Sequence, residues 1–307
     1  SFYNKELAGT IKILEKSGIT EMSEGALIVN LEKHSLPPAI LRKSDGATVY
    51  MTRDIAAAIY RKKKYKFNKM LYEVGGEQKL HFLQLFKVLE LLGHSWAKDC
   101  VHIDHGLYLG KDGKKFSTRK GKTVFMTHVL EETISLACKI IEEKNSKLKM
   151  KDKLAKDIGV GAIIFGDLCN DRSNDAIFDI DKFTSFEGET GPYLQYTNAR
   201  LCSILRKKKL TNTKVDYQLY DEEEQEIVKH LGRFSDAIAD SSRQYKPHIL
   251  ARYLLDLAQM VNSYYATHQV LQDDKKIEKA RLTLITTVKQ VLANGLGLLG
   301  IRALEQM

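Results

Sequence analysis

Residues 70–92 read MLYEVGGEQKLHFLQLFKVLELL, and this stretch decides the fold. Its first five residues form a short, mostly apolar run of strand type, and Gly75-Gly76 punctuates its end. Residues 77–92 then place Leu80, Leu83, Phe86, Leu89 and Leu92 at helical spacing, which predicts an amphipathic helix with those five on its apolar side. A helix is expected just before, over 53–64, and a further strand just after, over 100–104. Helix, strand, helix and strand in alternation imply a parallel sheet. Farther toward the N-terminus, Leu7, Ile11 and Leu14 predict a helix over 3–15 that stops at Gly18. Residues 26–31 and 47–52, with Ser44-Asp45-Gly46 as turn chemistry before the second, are expected to form a β-hairpin.

Beyond Thr127 the texture changes to helices, expected over 129–143, 154–168, 193–208, 222–240, 248–268 and 275–299, with no convincing strand among them. Only four prolines occur, Pro37, Pro38, Pro192 and Pro247, which suits a helix-rich chain. The fold class is therefore α/β followed by all-α. Three parts are expected: a sheet-containing domain over 1–126, a connecting helical unit over 127–183 and a helix bundle over 184–307. The lysine-rich stretch 144–156 reads as a solvated hinge.

The 307 residues are 43% hydrophobic and 28% charged, enough apolar material for sizeable cores. A formal charge of +9 suits a polyanionic partner, although many basic proteins bind none. Cys100, Cys138, Cys169 and Cys202 stand far apart with no CxxC pair, which argues against a disulfide scaffold or a zinc knuckle. The first residues, SFYNKELAGT, lack the apolar centre of a signal peptide, and the longest apolar run, 160–165, is too short to span a bilayer. A cytoplasmic protein without membrane contact is expected.

Three segments can carry chemistry. In 111–122, KDGKKFSTRKGK, basic residues crowd around Ser117 and Thr118 with Gly113 and Gly121 as hinges. Such a loop can wrap a polyphosphate, its amides and hydroxyls donating and its lysines neutralising charge. It can equally be a surface loop of solvated lysines. It is not a Walker A loop, because Phe116 stands where the first glycine is required. Second, Tyr50, Asp54, Gln78 and His81 fall at two successive strand-to-helix turns, which a parallel sheet brings together at its carboxyl edge. A carboxylate, a phenol and an amide there can grip a guanidinium. The competing account leaves Asp54 as a helix N-terminal residue and His81 as a half-buried histidine. Third, Thr190 can cap a helix in which Tyr193, Tyr196 and Arg200 share a face, a stacking platform for single-stranded bases or else tyrosines packed between helices. Tyr264 and Tyr265 invite the same two readings. His94, His102 and His105 lie across a turn and a strand, a poor arrangement for a metal, and no metal site is expected.

DGATVYMTRDIA at 45–56, VGGEQKLHFLQLF at 74–86, KKFSTRKGKTVFM at 114–126, FEGETGPYLQYTNARLCSI at 186–204 and VLANGLGLLGIRALEQM at 291–307 together resemble the arginyl-tRNA synthetase family, class I aminoacyl-tRNA synthetases, along essentially the whole chain. The resemblance implies the second half of a Rossmann-type catalytic domain followed by a helical anticodon-binding domain of DALR type. It places residues 115–119, Lys-Phe-Ser-Thr-Arg, where class I enzymes carry KMSKS. Phe116 then replaces methionine and Thr118 the second lysine, a departure usual among the arginine enzymes.

Lys115, Ser117, Thr118 and Lys120 are the implied catalytic residues, with His81, Phe116 and Ser117 on the ATP. Tyr50, Asp54 and Gln78 are the implied arginine pocket, with Asp54 on the guanidinium. Tyr193, Tyr196, Arg200, Tyr265 and Met307 are the implied tRNA contacts. The implied substrates are L-arginine, ATP with Mg²⁺ and tRNA-Arg, and the implied state is a monomer. No His-x-Gly-His signature occurs, since His102-Ile103-Asp104-His105 lacks the intervening glycine. The chain is thus expected to be the C-terminal portion of an arginine–tRNA ligase, inactive alone. The alternative is a non-catalytic RNA-binding module derived from such an enzyme.

Overall fold

The computed structural model describes residues 2–115, 125–144, 150–208, 210 and 215–307. It divides into two compact units, Ser1–Gly106 and Leu107–Met307.

In the first unit a 3-10 turn, Phe2–Glu6, leads into α1 (Leu7–Lys16), which buries Ile11 and Leu14 and ends at Gly18 with φ of 74°. An antiparallel sheet follows, β1 (Thr20–Ser23), β2 (Ala26–Val29) and β3 (Ala39–Arg42), in spatial order β1-β2-β3. Glu24 and Gly25, both with positive φ, close the β1–β2 connection, as a two-residue hairpin turn requires.

The expected second strand over 47–52 is not formed. Only an isolated bridge, Arg42 to Thr48, precedes α2 (Tyr50–Tyr65). The reason lies in the burial pattern: Met51, Thr52, Ile55 and Ala58 are spaced for one helical face, and the Thr52 hydroxyl donates to the Leu41 carbonyl at 2.5 Å. The partner of β2 comes instead from β3, where Ala39 and Leu41 are buried and Ile40 is exposed in strict alternation.

The strand–helix–strand unit is present as expected. β4 (Met70–Gly75) and β5 (Cys100–His105) pair in parallel from Met70 opposite Cys100 to Gly75 opposite His105. A 3-10 turn, Gly76–Gln78, and α3 (Lys79–Leu91) form the crossover. The inward stripe of α3 is Phe82, Leu85, Val88 and Leu89, whereas Leu80 and Leu83 are 46% and 48% exposed. Of the expected stripe, Leu89 is in the core and Phe86 and Leu92 pack against it; apolar residues occupy so much of this helix that spacing alone did not exclude Leu80 and Leu83.

The second unit opens with β6 (Tyr108–Leu109), paired in parallel with the two-residue β7 (Ala176–Ile177), a pairing too short to show in the sequence. Its helices are α4 (Met126–Lys144), α5 (Lys151–Leu168), α6 (Ile180–Thr184), α7 (Gly191–Lys207), α8 (Glu222–Gly232), α9 (Phe234–Gln244), α10 (Pro247–Thr267) and α11 (Lys275–Leu298). The single helix expected over 222–240 is two, broken at Gly232-Arg233, where glycine has little helix propensity.

Starts are well marked. Thr190 Oγ1 accepts from the Tyr193 amide, Asp221 and Glu224 form a capping box, and Asp274 accepts from two amides of α11. The core gathers Phe165, Leu194, Ile227, Leu254, Tyr264 and Ile285, all essentially without exposure. α5 and α7 cross closely: a Cβ on Gly191 would lie 2.6 Å from the Gly161 carbonyl oxygen.

Candidate functional site

The first unit carries an acid–imidazole pair. Asp54 lies in the second turn of α2 and His81 in the first turn of α3, just past the carboxyl end of β4. Their side chains meet, His81 Nε2 donating to Asp54 Oδ2 at 2.7 Å, with 23% and 39% of the side chains exposed. Tyr50 stands one turn before Asp54, 75% exposed, its ring 5.7 Å from the Arg53 guanidinium carbon. Gln78 is exposed at the start of α3, three residues before His81. The structure thus joins Asp54 directly to His81 and sets Tyr50 and Gln78 at the flanking helix starts. His102 is fixed against the other side of α3, stacked on Phe82 at 4.5 Å with Nε2 donating to the Val74 carbonyl at 2.9 Å.

In the second unit, residues 108–115 form a tight turn. Gly110 N donates to the Lys114 carbonyl at 2.9 Å, Gly113 adopts φ of 71°, and Lys115 bridges back to Leu109. Four ties hold this turn to the helical unit. They are the β6–β7 pairing, the Leu107 amide on Asp175 Oδ1 at 2.7 Å, the Tyr108 hydroxyl on Asp167, and Lys111 between Asp179 Oδ1 at 3.0 Å and Asp181 Oδ2 at 2.8 Å. Lys111, a lysine of the basic segment, is therefore paired with two carboxylates, and the hydrogen bonds it donates to Asp181 and Asp179 raise its pKa. Of the loop residues expected to be catalytic or to contact ATP, only Lys115 is among the described residues. Phe116, Ser117, Thr118 and Lys120 lie outside the described residues.

The aromatic face is assembled by α7 and α10. The Arg200 guanidinium carbon lies 4.9 Å from the Tyr196 ring centroid and 5.6 Å from that of Tyr265, and its Nη1 donates to Asn262 Oδ1 at 3.1 Å. Asn262 Nδ2 in turn donates to the Tyr193 hydroxyl and to Thr197 Oγ1, each at 2.9 Å. Tyr196 and Tyr265 are 37% and 39% exposed. The structure divides these residues: Tyr193 packs on the core, Tyr264 is fully buried, and Tyr196, Arg200 and Tyr265 form an exposed stack.

Met307 lines a cavity of about 350 Å³ beside Tyr196 and Arg200. It is brought there by amides on the buried side of α7. Gln195 Nε2 donates to the Arg302 carbonyl at 2.9 Å, and Asn198 Nδ2 to the Leu304 carbonyl at 2.8 Å, while Arg206 Nη1 donates to the Glu305 carbonyl at 2.8 Å. The sequence reading missed Asn262, Gln195 and Asn198. Position 262, three before Tyr265 on the same helix, was the available signal for the first.

Among the described residues no group of three or more His, Cys, Asp and Glu is placed to hold a metal ion, and no helix is long and apolar enough to cross a membrane.

With this geometry in place, the chain matches the catalytic-domain family described as tRNA synthetases class I (R) over residues 1–180. The chain belongs to the arginyl-tRNA synthetase family. Residues 194–307 match the DALR anticodon binding domain. The arginine–tRNA ligase of Halothermothrix orenii is 47% identical over 309 residues, covering 100% of this chain and 54% of the relative. Arginine–tRNA ligase 1 of Bacillus thuringiensis subsp. konkukian is likewise 47% identical over 307 residues with the same coverage. The chain spans about half the length of these curated relatives. Among solved structures, Thermus thermophilus arginyl-tRNA synthetase superimposes with a TM-score of 0.90 at 27% identity, over 98% of this chain and 58% of that one. The Plasmodium falciparum arginyl-tRNA synthetase does so with 0.86 at 25% identity, over 100% and 53%. The α/β-plus-helical fold class expected from the sequence is thus that of the family.

Proposed function

We propose that the intact protein activates L-arginine with Mg²⁺-ATP to arginyl-adenylate, releasing pyrophosphate, and transfers the arginine to the 3′ end of tRNA-Arg. Asp54 carries this reading: a partly exposed carboxylate in the second turn of α2, held in orientation by His81 past the carboxyl end of β4, suits a guanidinium. Tyr50 and Gln78 complete the arginine pocket, and His81 supports the adenosine side. Lys115 and the following Phe116, Ser117, Thr118 and Lys120 handle the ATP phosphates, where charge grows as pyrophosphate leaves. Tyr193, Tyr196, Arg200, Tyr265 and Met307 contact the tRNA, for which the exposed Tyr196–Arg200–Tyr265 stack is suited. The protein acts as a cytoplasmic monomer, divided into a catalytic part over 1–126, a connecting unit over 127–183 and an anticodon-binding bundle over 184–307.

Arginine-dependent ATP–pyrophosphate exchange by the intact protein tests the reading. Exchange that requires arginine and is not supported by other amino acids is the expected result. No exchange with saturating tRNA-Arg, alongside retained tRNA binding, would leave a non-catalytic RNA-binding module.

A further inference from the structure

Residues 109–115 form a small hairpin. Leu109 bridges to Lys115, the Gly110 amide donates to the Lys114 carbonyl at 2.9 Å, the Gly113 amide to the Gly110 carbonyl at 2.8 Å, and the Lys114 amide to Asp112 Oδ1 at 3.1 Å. Lys111 stands in the tip, and Lys115 stands where the chain leaves the hairpin. Of the four ties to the helical unit, three act at the base, on Leu107, Tyr108 and Leu109, and that of Lys111 acts at the tip. So short a pairing leaves a hairpin free to swing about its base. A bond at the tip fixes the angle.

The footing of that bond is rigid. Asp179 caps α6, its Oδ1 accepting from the Lys182 amide at 3.3 Å as well as from Lys111, and 28% of its side chain is exposed. The Phe178 amide just before it donates to the Leu109 carbonyl at 2.9 Å, and the Phe178 ring meets Tyr108 and Phe183 edge-on, at 5.9 and 5.5 Å. Phe183 packs in turn on Gly166 of α5, where a Cβ would come within 2.7 Å of its ring. The carboxylates thus ride on a helix start wedged against α5. The Lys111 hydrogen bond lowers the Asp179 pKa, so both partners stay charged at neutral pH. An exposed ion pair adds little to stability. The effect of this one lies in where it holds the hairpin, and a lysine shared by two carboxylates must leave both to reach a phosphate.

We propose that Lys111 is a positioning residue for adenylate formation: by clamping the hairpin tip to Asp179 and Asp181 it sets the direction in which Lys115 is presented to the ATP phosphates, without touching ATP itself. Groups that handle a transferring phosphate must be held closely, since a misplacement of about 1 Å costs on the order of a hundredfold in rate. The proposal rests on the phosphate-handling part of the proposed function.

The test is arginine-dependent ATP–pyrophosphate exchange by the intact protein with saturating tRNA-Arg. Lys111→Met should raise the KM for ATP about tenfold, less than a full misplacement because three ties remain, and should leave the KM for arginine unchanged. Lys111→Arg should restore most of the loss. The double variant Asp179→Asn/Asp181→Asn, in which asparagine can still cap α6, should show the same defect as Lys111→Met. Adding Lys111→Met to that double variant should make it no worse, as for groups that act as one unit. Exchange at or above the parent level in the double aspartate variant, with Lys111→Met impaired, would put Lys111 on the phosphates and overturn the positioning role. Parent kinetics in every variant, or an equal rise in both KM values, would overturn it too and leave the proposed function standing. No exchange by the parent protein removes the phosphate-handling reading itself, and this proposal with it.

Discussion

At the scale of single residues, the Asp54 carboxylate has two tasks: it accepts from His81 at 2.7 Å and, in the proposed pocket, from a substrate guanidinium. Asp54→Asn keeps the shape and removes the charge. The KM for arginine in ATP–pyrophosphate exchange should rise by about thirtyfold, the low end of the cost of breaking a partly desolvated charge pair. Discrimination against the neutral isostere citrulline should collapse with it. An unchanged KM would remove Asp54 from the pocket.

The sequence put Asp54 and His81 near two successive helix starts, and the structure brings their side chains together, although the strand expected before Asp54 is absent. Asn262, Gln195 and Asn198 were not legible in the sequence. Their hydrogen-bond partners lie 62, 107 and 106 residues away, and an amide's role is fixed only when the fold brings such partners together. The exposed loop residues of the basic segment were visible as a charge pattern, but the engagement of Lys111 by Asp179 and Asp181 was hidden by a separation of about seventy positions.

At the scale of elements, helix type and position were read well wherever apolar spacing was long and a side-chain cap or an N-terminal proline marked the start, as in α7, α10 and α11. The failures have local causes. Residues 47–52 are β-branched and apolar enough for a strand, yet their burial follows a helix from Tyr50 onward, and only tertiary contact decides between the two. Close helix approach gives a sharper expectation. Gly191→Ala places a methyl against the Gly161 carbonyl, a backbone atom that cannot swing aside. A loss of about 1–3 kcal/mol in urea unfolding is expected, typical of overpacking, and an unchanged midpoint would show that α5 and α7 separate freely.

Asp171, in the connection after α5, accepts from Lys246 Nζ at 2.6 Å and from Ser173 Oγ at 2.6 Å. These contacts, the lysine's first, hold its carboxyl well below its ordinary value of 3.8. A depressed folded-state pKa means that the contribution is complete at neutral pH and declines only as pH falls below the ordinary value toward the folded one. Asp171→Asn should therefore lower stability at pH 7 by up to about 1 kcal/mol, as for a solvent-accessible pair. The gap between variant and parent should narrow as pH is taken below 3.8. A gap that widens in acid would contradict the assignment.

At the scale of the whole molecule, a formal charge of +9 favours a polyanion before any specific contact forms. If three to five phosphates are neutralised, log affinity of the intact protein for tRNA-Arg should fall against log salt with a slope of about −2 to −4. Filter binding across a salt series measures it, and a flat response would point away from RNA.

One feature of the second unit bears on how such a protein is recombined with a relative. The turn at 108–115 is tied to Asp167, Asp175, Asp179 and Asp181, and it belongs by its bonds to the helical unit rather than to the sheet that precedes it. A chimera that takes its sheet from one parent and its helices from another should therefore be joined near Gly106. A crossover near Phe125 would separate four acceptors from their donors, and the hybrid would inherit a basic segment whose footing was shaped for a different scaffold.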